Sequence, residues 1–302
     1  MNRTEKIRCA RESAEPWLYL LPFLVFFIVF IFYPAVNVLL LSFKENYSHL
    51  RGSFDSFGFE NYKKVLSDAK FRDAMKNTVL YVLCVVPVST VLSIVFASLL
   101  NQKLKGIAFF QTSFFMPLVT SVTAVGLVWR FMYNQKYGVF NFVLGLFSIA
   151  PLGWVDDSRW SLLSLVIFGI WNILPFTIIL LLAGLQNIDE KYYLSAKIDG
   201  AGTFKIFYRI TVPLLSPTIM LVVIVNSISC FKVFSELYPL FNGKPGPYYN
   251  LYTLVYYIRY AMVEKRKYGY AAAAAMIFFA CVLVFTVLQL TLKRRLKVRG
   301  ME

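Results

Sequence analysis

The stretch Ser161-Leu-Leu-Ser-Leu-Val-Ile-Phe-Gly-Ile-Trp-Asn-Ile-Leu-Pro-Phe-Thr-Ile-Ile-Leu-Leu-Leu-Ala-Gly-Leu-Gln186 carries no charged residue, and Asn172 is its one amide before the terminal Gln186. A helix needs about 20 mainly apolar residues to cross about 30 Å of hydrocarbon. Residues 161–186 exceed that length, and five further runs match them: 17–43, 75–100, 108–130, 214–234 and 271–292. Charges inside these runs are few. Lys76 and Arg130 stand at ends, and Lys232 stands near the end of the fifth run. The sequence therefore predicts an all-α, polytopic membrane bundle of six transmembrane helices.

Composition agrees. Of 302 residues, 58% are hydrophobic and 16% charged, against about 45–50% and about 25% in soluble domains. Mean hydropathy is +0.62. Disorder is excluded, because disordered chains are poor in apolar residues. Net charge is +15, from 31 Lys and Arg against 16 Asp and Glu. In a soluble protein that excess would suggest nucleic acid. Here cations flanking membrane spans explain it, and no nucleic-acid partner is expected. Cys9, Cys84, Cys230 and Cys281 form no CxxC pair, so neither a zinc site nor a disulfide framework is indicated. His49 is the single histidine, in a polar loop, which leaves no triad or metal cluster.

Six spans put both termini on one side. With the termini inside, the segments 1–16, 101–107, 187–213 and 293–302 hold 15 cations in 60 residues. The segments outside, 44–74, 131–160 and 235–270, hold 13 in 97. The density inside is about twice that outside, as the positive-inside rule requires. The strongest cue is the tail Lys293-Arg294-Arg295-Leu296-Lys297-Val298-Arg299; the first outer loop runs against the trend. The expected organisation is a cytoplasmic N-terminus (1–16), a six-span domain (17–292) and a basic cytoplasmic tail (293–302). The first apolar run is too long for a signal-peptide core and lacks a small-residue cleavage site, so it reads as an uncleaved span.

Pro22, Pro34, Pro87, Pro117, Pro175 and Pro217 lie inside the spans. Proline frees a carbonyl and bends a helix, which suits a bundle that changes shape. In the last outer loop, Leu251, Leu254, Val255, Ile258, Ala261 and Met262 recur at helical spacing, with Asn250 placed to cap. The tyrosines of that segment, Tyr252, Tyr256, Tyr257 and Tyr260, suit a membrane interface. The segment reads as an interfacial helix or as an outer gate.

The inner segment between the fourth and fifth spans is the most informative loop. Residues 189–198 predict a short helix, started by Asp189 and Glu190. Gly200 and Gly202 break it. Thr203 is placed to cap a second short helix over 204–211, ended by Pro213. The result is a helix–turn–helix elbow. Phe204, Phe207 and Ile210 would face the bundle, while the small Ser195 and Ala196 face outward for a partner protein.

This elbow resembles the conserved inner loop of ABC-transporter permeases, whose pattern is E-A-A, three residues, G, then a stretch ending I-x-L-P. The matches are Ala196, Asp199-Gly200-Ala201, Phe207, Ile210-Thr211 and Pro213. Further pieces resemble the maltose-type sugar importers in particular. They are Leu20-Leu21-Pro22, Phe32-Tyr33-Pro34, Phe59-Glu60-Asn61-Tyr62, Phe71, Asn77-Thr78, Phe231-Lys232-Val233-Phe234, Asn242-Gly243 and Tyr268-Gly269-Tyr270-Ala271-Ala272. They run in order along nearly the whole chain. Two positions depart from the pattern. Leu194 stands where the family has its leading glutamate and Ser195 where it has the first alanine, so the carboxylate for a salt bridge from that position is absent. The family's Gly-Gly-Pro reads Gly243-Lys244-Pro245.

The resemblance implies a type I importer permease, in the cell membrane of a prokaryote. It implies a second, homologous permease subunit, a dimer of ATP-binding subunits inside, and an extracytoplasmic solute-binding protein that delivers a carbohydrate. The elbow would dock on the ATPase, with Leu194, Ser195, Ala196, Asp199, Gly200, Ala201 and Phe204 as the coupling residues. The family's substrate contacts fall on spans four and five. The polar and aromatic candidates there are Trp171, Asn172, Asn226, Ser229 and Lys232. Each has a second reading as a helix–helix contact, and Lys232 reads equally as a functional cation or one that snorkels to the interface. No G-x-x-x-x-G-K-[ST] occurs, so ATP and magnesium are expected on the separate ATPase and no cofactor on this chain. A secondary transporter or channel is the alternative, but the six runs carry no Asp, Glu or His for ion coupling. An intramembrane enzyme would need catalytic pairs that the sequence does not supply, so no catalytic residue is assigned.

Overall fold

The computed structural model describes residues 17, 19–49, 51–102 and 106–299, with 292–299 as backbone only. The segment 1–16 with Cys9, the loop cations Lys103 and Lys105, residues 300–302 and the side chains of the basic tail lie outside the described residues. Regular structure among the described residues is helical, apart from two isolated bridges, Lys44–Phe57 and Ser48–Ser53. The helices are α1 (Tyr19–Phe43), α2 (Glu60–Ser67), α3 (Ala69–Leu100), α4 (Ile107–Val119), α5 (Val122–Met132), α6 (Val139–Leu146), α7 (Ser161–Gln186), α8 (Glu190–Ile198), α9 (Thr203–Phe231), α10 (Leu237–Leu240), α11 (Leu254–Arg259) and α12 (Tyr268–Arg299).

Five helices are long and apolar enough to cross a membrane: α1, α3, α7, α9 and α12. The third apolar run, expected as one continuous helix over 108–130, is instead a broken pair. Helices α4 and α5 meet at a bend of 105°. Pro117 starts the break: it sits in a short 3-10 turn, Met116–Val119, and Thr120 leaves the helix with extended backbone. The pair supplies the sixth span if both halves are counted as one.

Two compact units divide the chain. The first takes the residues up to Leu66 together with Ile258–Ile277. In it, α1 is apolar on every side, with none of its central window buried within the chain. The polypeptide then doubles back: Glu45 N–H donates to Ser56 O at 2.9 Å and Gly58 N–H to Phe43 O at 2.9 Å. Asn61 locks the turn by donating to Ser42 O at 3.0 Å and Lys44 O at 2.9 Å. Gly269 packs on this lock, and a Cβ there would stand 2.8 Å from Lys44 O. The Ser56 hydroxyl, then the Glu60 amide, holds the Glu45 carboxyl below the usual carboxylate range.

The second unit, Ser67–Tyr257 with Phe278–Glu302, is built on α3, α7 and α9. Ala97, Leu100, Ile178, Leu181, Leu182, Leu185, Leu215 and Val222 form its apolar core. Two glycines let α7 approach its neighbours: a Cβ on Gly169 would stand 2.1 Å from Tyr81 Oη, and one on Gly184 2.7 Å from Thr218 Oγ1. Small residues at such crossings are the usual basis of close packing between membrane helices. Near the start of α7, an aromatic cluster of Trp129, Tyr133, Phe140 and Trp154 surrounds the amide of Asn141. Asn141 accepts from Trp154 Nε1 at 2.9 Å and donates to Leu152 O at 2.9 Å.

One local device recurs. A π turn at Ile28–Phe32 ends just before Tyr33-Pro34, and another at Phe207–Thr211 just before Val212-Pro213. Proline lacks an N–H and its ring clashes with the carbonyl four residues back. Widening the preceding turn moves that carbonyl aside, so the helix continues. Pro213 was expected to end the elbow's second helix. Instead α9 runs unbroken from Thr203 to Phe231, and the fifth span starts inside the elbow.

The last outer loop also differs from expectation. Its helix starts at Leu254, three residues later than predicted, and Thr253 sits at its start: Tyr257 N–H donates to Thr253 O at 2.8 Å. Asn250 does not cap it. Its amide donates to Ser158 O and to Ser161 Oγ, both at 3.0 Å. Tyr252, Tyr256 and Tyr257 are buried within the chain; Tyr257 Oη donates to Asp68 at 2.8 Å.

Candidate functional site

The elbow between α7 and α9 is built from backbone geometry. Asp189 caps α8 by accepting from Lys191 N–H at 3.0 Å, and the neighbouring Lys191 ammonium holds its carboxyl below the usual range. At the other end, Gly200 N–H donates to Lys197 O at 3.0 Å and Ala201 N–H to Ala196 O at 2.9 Å. This crossed pair is a Schellman stop, which needs a left-handed residue between its two bonds. Gly200 supplies it, with φ +70°. The run Asp199-Gly200-Ala201 is thus the C-terminal cap of α8, and the chain leaves it at a fixed angle into α9. Gly202, not Thr203, occupies the N-cap of α9, and Thr203 makes no capping bond.

Side-chain directions differ from the sequence reading in two places. Ala196 is buried, 7% exposed, not outward. Phe204 is 81% exposed, not turned to the bundle. The reason is the Schellman turn, which fixes the rotation of α9 relative to α8; helical periodicity alone leaves that rotation free. Leu194 and Ser195 are exposed, as are Asp199 and Gly200, while Ala201, Phe207 and Ile210 are half-buried. Leu194 and Ile198 on α8, and Phe204 and Tyr208 on α9, are exposed large apolar residues of the elbow. Ile198 and Tyr208 were missed by the sequence reading. Their signal was present: large apolar residues in a segment otherwise rich in charge, with Ile198 one turn after Leu194.

The pathway candidates divide. Asn226 is buried and donates to Thr177 Oγ1 at 2.9 Å, tying α9 to α7. Trp171 and Asn172 are half-buried on α7, and Ser229 and Lys232 are exposed at the end of α9. Trp171 packs on Trp129, with ring centroids 5.3 Å apart. With Ser113, Phe114, Pro117, Leu174 and Pro175 it lines a cleft of about 230 Å³ beside the broken pair. Beyond α9, Glu236 is half-buried and accepts from Phe234 N–H at 3.1 Å; burial pushes its carboxyl above the usual range.

Known proteins share this arrangement. The trehalose/maltose transport system permease protein MalF of Thermococcus litoralis is 32% identical over 293 residues, covering 97% of this chain and 98% of its own. The arabinooligosaccharides transport system permease protein AraP of Bacillus subtilis is 31% identical over 96% of this chain and 91% of its own. The lactose transport system permease protein LacF of Rhizobium radiobacter is 31% identical, over 93% and 94%. Among solved structures, a bacterial ABC transporter involved in import of the acidic polysaccharide alginate superposes with TM-score 0.82 at 21% identity, over 96% of this chain. The same fold appears in the alginate transporter solved with its pentasaccharide-bound periplasmic protein, at TM-score 0.81. Residues 89–298 match the binding-protein-dependent transport system inner membrane component, and the chain belongs to that family of ABC-transporter permeases.

Proposed function

We propose that this chain forms half of the translocation pathway of an ATP-driven carbohydrate importer and transmits the ATPase stroke through the elbow. The observation that carries the reading is the elbow itself. The short helix α8 and the first turns of α9, locked at Gly200, present Leu194, Ile198, Phe204 and Tyr208 where the chain passes from α7 into α9. Exposed apolar side chains clustered in a polar segment mark a protein contact. Because α9 is continuous from Thr203 to Phe231, a push on Phe204 moves the pathway helix as one rod. The leading carboxylate of the family motif is replaced by Leu194, so docking rests on apolar burial in place of an ion pair at that position.

In this reading a homologous permease completes the pathway. ATP and its magnesium ion sit on two separate ATP-binding subunits, and a solute-binding protein delivers the sugar from the opposite side. The bundle alternates between two states, which the ATPase and the loaded binding protein bias. Trp171, Asn172, Ser229 and Lys232 offer aromatic and hydrogen-bonding groups to a carbohydrate along α7 and α9, and Asn226 positions these helices through Thr177. The elbow, both termini and the basic tail face the cytoplasm of a prokaryotic cell.

Purification in mild detergent from native cells tests this. A second permease and a P-loop ATPase should accompany the chain, and the reconstituted complex should hydrolyse ATP faster when the sugar-loaded binding protein is added. Solute movement by the chain alone in liposomes without ATP would overturn the reading in favour of a secondary transporter.

A further inference from the structure

At the end of the second unit remote from the elbow lies an open cleft of about 580 Å³. Its polar lining is Arg130, Asp156, Asn242 and Lys244, and its aromatic lining is Phe241, Tyr248 and Tyr249. Nothing in the coupling mechanism uses these residues. The volume falls in the range of about 300–1,000 Å³ typical of small-molecule clefts.

The two tyrosines are held in an unusual way. Both adopt left-handed backbone, with φ +52° and +60°, which bulky residues rarely do. Packing does not explain this, because Tyr248 is 90% exposed and Tyr249 56%. The strain is imposed by rigid flanks. Gly243 N–H donates to Tyr238 O at 2.8 Å, Tyr256 Oη to Gly243 O at 3.1 Å and Leu251 N–H to Pro245 O at 2.8 Å. Asn250 is pinned to Ser158 and Ser161, and Asn77 donates to Asn250 O at 2.9 Å. Arg130, which also lines the cleft, donates to Asn242 Oδ1. Strained backbone that the surroundings enforce tends to mark binding sites, and here it leaves two tyrosine side chains exposed beside polar groups of the cleft.

We infer that this cleft is a saccharide subsite at the extracytoplasmic mouth of the permease, with Tyr248 and Tyr249 as the stacking platform and Arg130, Asp156, Asn242 and Lys244 as hydroxyl partners. Saccharides present apolar ring faces together with rims of hydroxyls. An aromatic face beside a guanidinium, a carboxylate and an amide matches both features. The size and openness of the cleft suit a short oligosaccharide entering from one end. The inference rests on the carbohydrate-importer reading above. It adds a station where sugar is held on the permease itself.

The test uses the importer reconstituted in nanodiscs with its partner subunits. The probes are maltose, maltotriose, trehalose, lactose and arabinotriose, and ATPase stimulation through the binding protein identifies the transported one. That sugar is then offered to the complex without the binding protein, and saturation-transfer NMR reads contact. Wild type should show transfer. Tyr248→Ala with Tyr249→Ala should weaken binding about tenfold or more, equivalent to about 1.4 kcal/mol, while Tyr248→Phe with Tyr249→Phe retains it. Lys244→Ala, which leaves both tyrosines in place, gives an independent loss should the double alanine variant fail to assemble. A probe that is transported yet gives no transfer to the complex alone overturns the subsite. So does a double alanine variant that lowers affinity for the binding protein and leaves sugar contact unchanged. If no probe is transported, it is the importer reading that fails.

Discussion

Gly200 sets the direction of the elbow through one backbone angle. Its φ of +70° would strain any residue with a Cβ, yet a Cβ there would meet nothing within 4 Å. The cost of Gly200→Ala is therefore backbone strain alone, about 1 kcal/mol. In the reconstituted complex this variant should keep basal ATP hydrolysis and lose part of its coupling to transport. Gly200→Asn, which tolerates left-handed backbone, should recover most of it. Equal coupling in all three proteins would remove the elbow's geometric role. Glu236 gives a prediction in pH. Its carboxyl is raised by burial, so the folded protein keeps the proton in a window where the unfolded chain has released it. Stability then falls as pH rises from the ordinary carboxylate range through the raised folded value. Glu236→Gln should flatten that slope, read as the melting temperature against pH in detergent.

At the level of elements, helix contacts depend on where side chains are missing. The crossing of α3 and α7 is possible because Gly169 leaves room for Tyr81 Oη. Gly169→Ala should destabilise the protein by about 1–3 kcal/mol, the usual result of overpacking. Tyr81→Phe removes the clashing oxygen, so the double variant should melt above Gly169→Ala alone. Additive losses would mean the two helices do not meet there. Sequence patterning carried much of the element plan. Uncharged length placed the five continuous crossings, and Gly200 placed the turn of the elbow. Three features were hidden for a common reason: each depends on how one turn passes proline or glycine. The 105° break between α4 and α5, the passage of α9 through Pro213, and the outward turn of Phe204 are decided by backbone hydrogen bonds. Hydrophobicity does not encode those bonds. Asn250 is similar. The sequence offers it as a cap, and the fold uses it to join α7 to the loop before α11.

For the whole molecule, the positive-inside count and the site reading make one joint claim: the elbow and the tyrosine cleft lie on opposite sides of the membrane. Ser195→Cys and Tyr248→Cys test it, in a background where Cys84, the exposed native thiol among the described residues, is replaced by serine. A membrane-impermeant maleimide added to intact cells should label the second variant and spare the first until the membrane is opened. The reverse order would invert the topology and with it the proposed direction of coupling. The sequence made the family legible because its motifs sit where backbone geometry is special, as at Asp199-Gly200-Ala201. It did not reveal the cargo, because the residues offered to sugar are polar groups that helices also use for each other, as Asn226 does with Thr177.

The bend between α4 and α5 has a consequence for water. The leading amides of α5 have no partner within their own helix, and Ser121 places no side chain over them. Hydrocarbon cannot satisfy such groups. Their partners must come from water or from the homologous subunit, and the cleft lined by Pro117 and Trp171 beside the bend is the route for water. The amides at the start of α5 should exchange with deuterium within the time that those in the middle of α7 stay protected. Exchange on that timescale would mean that the bend brings water to membrane depth before any cargo arrives.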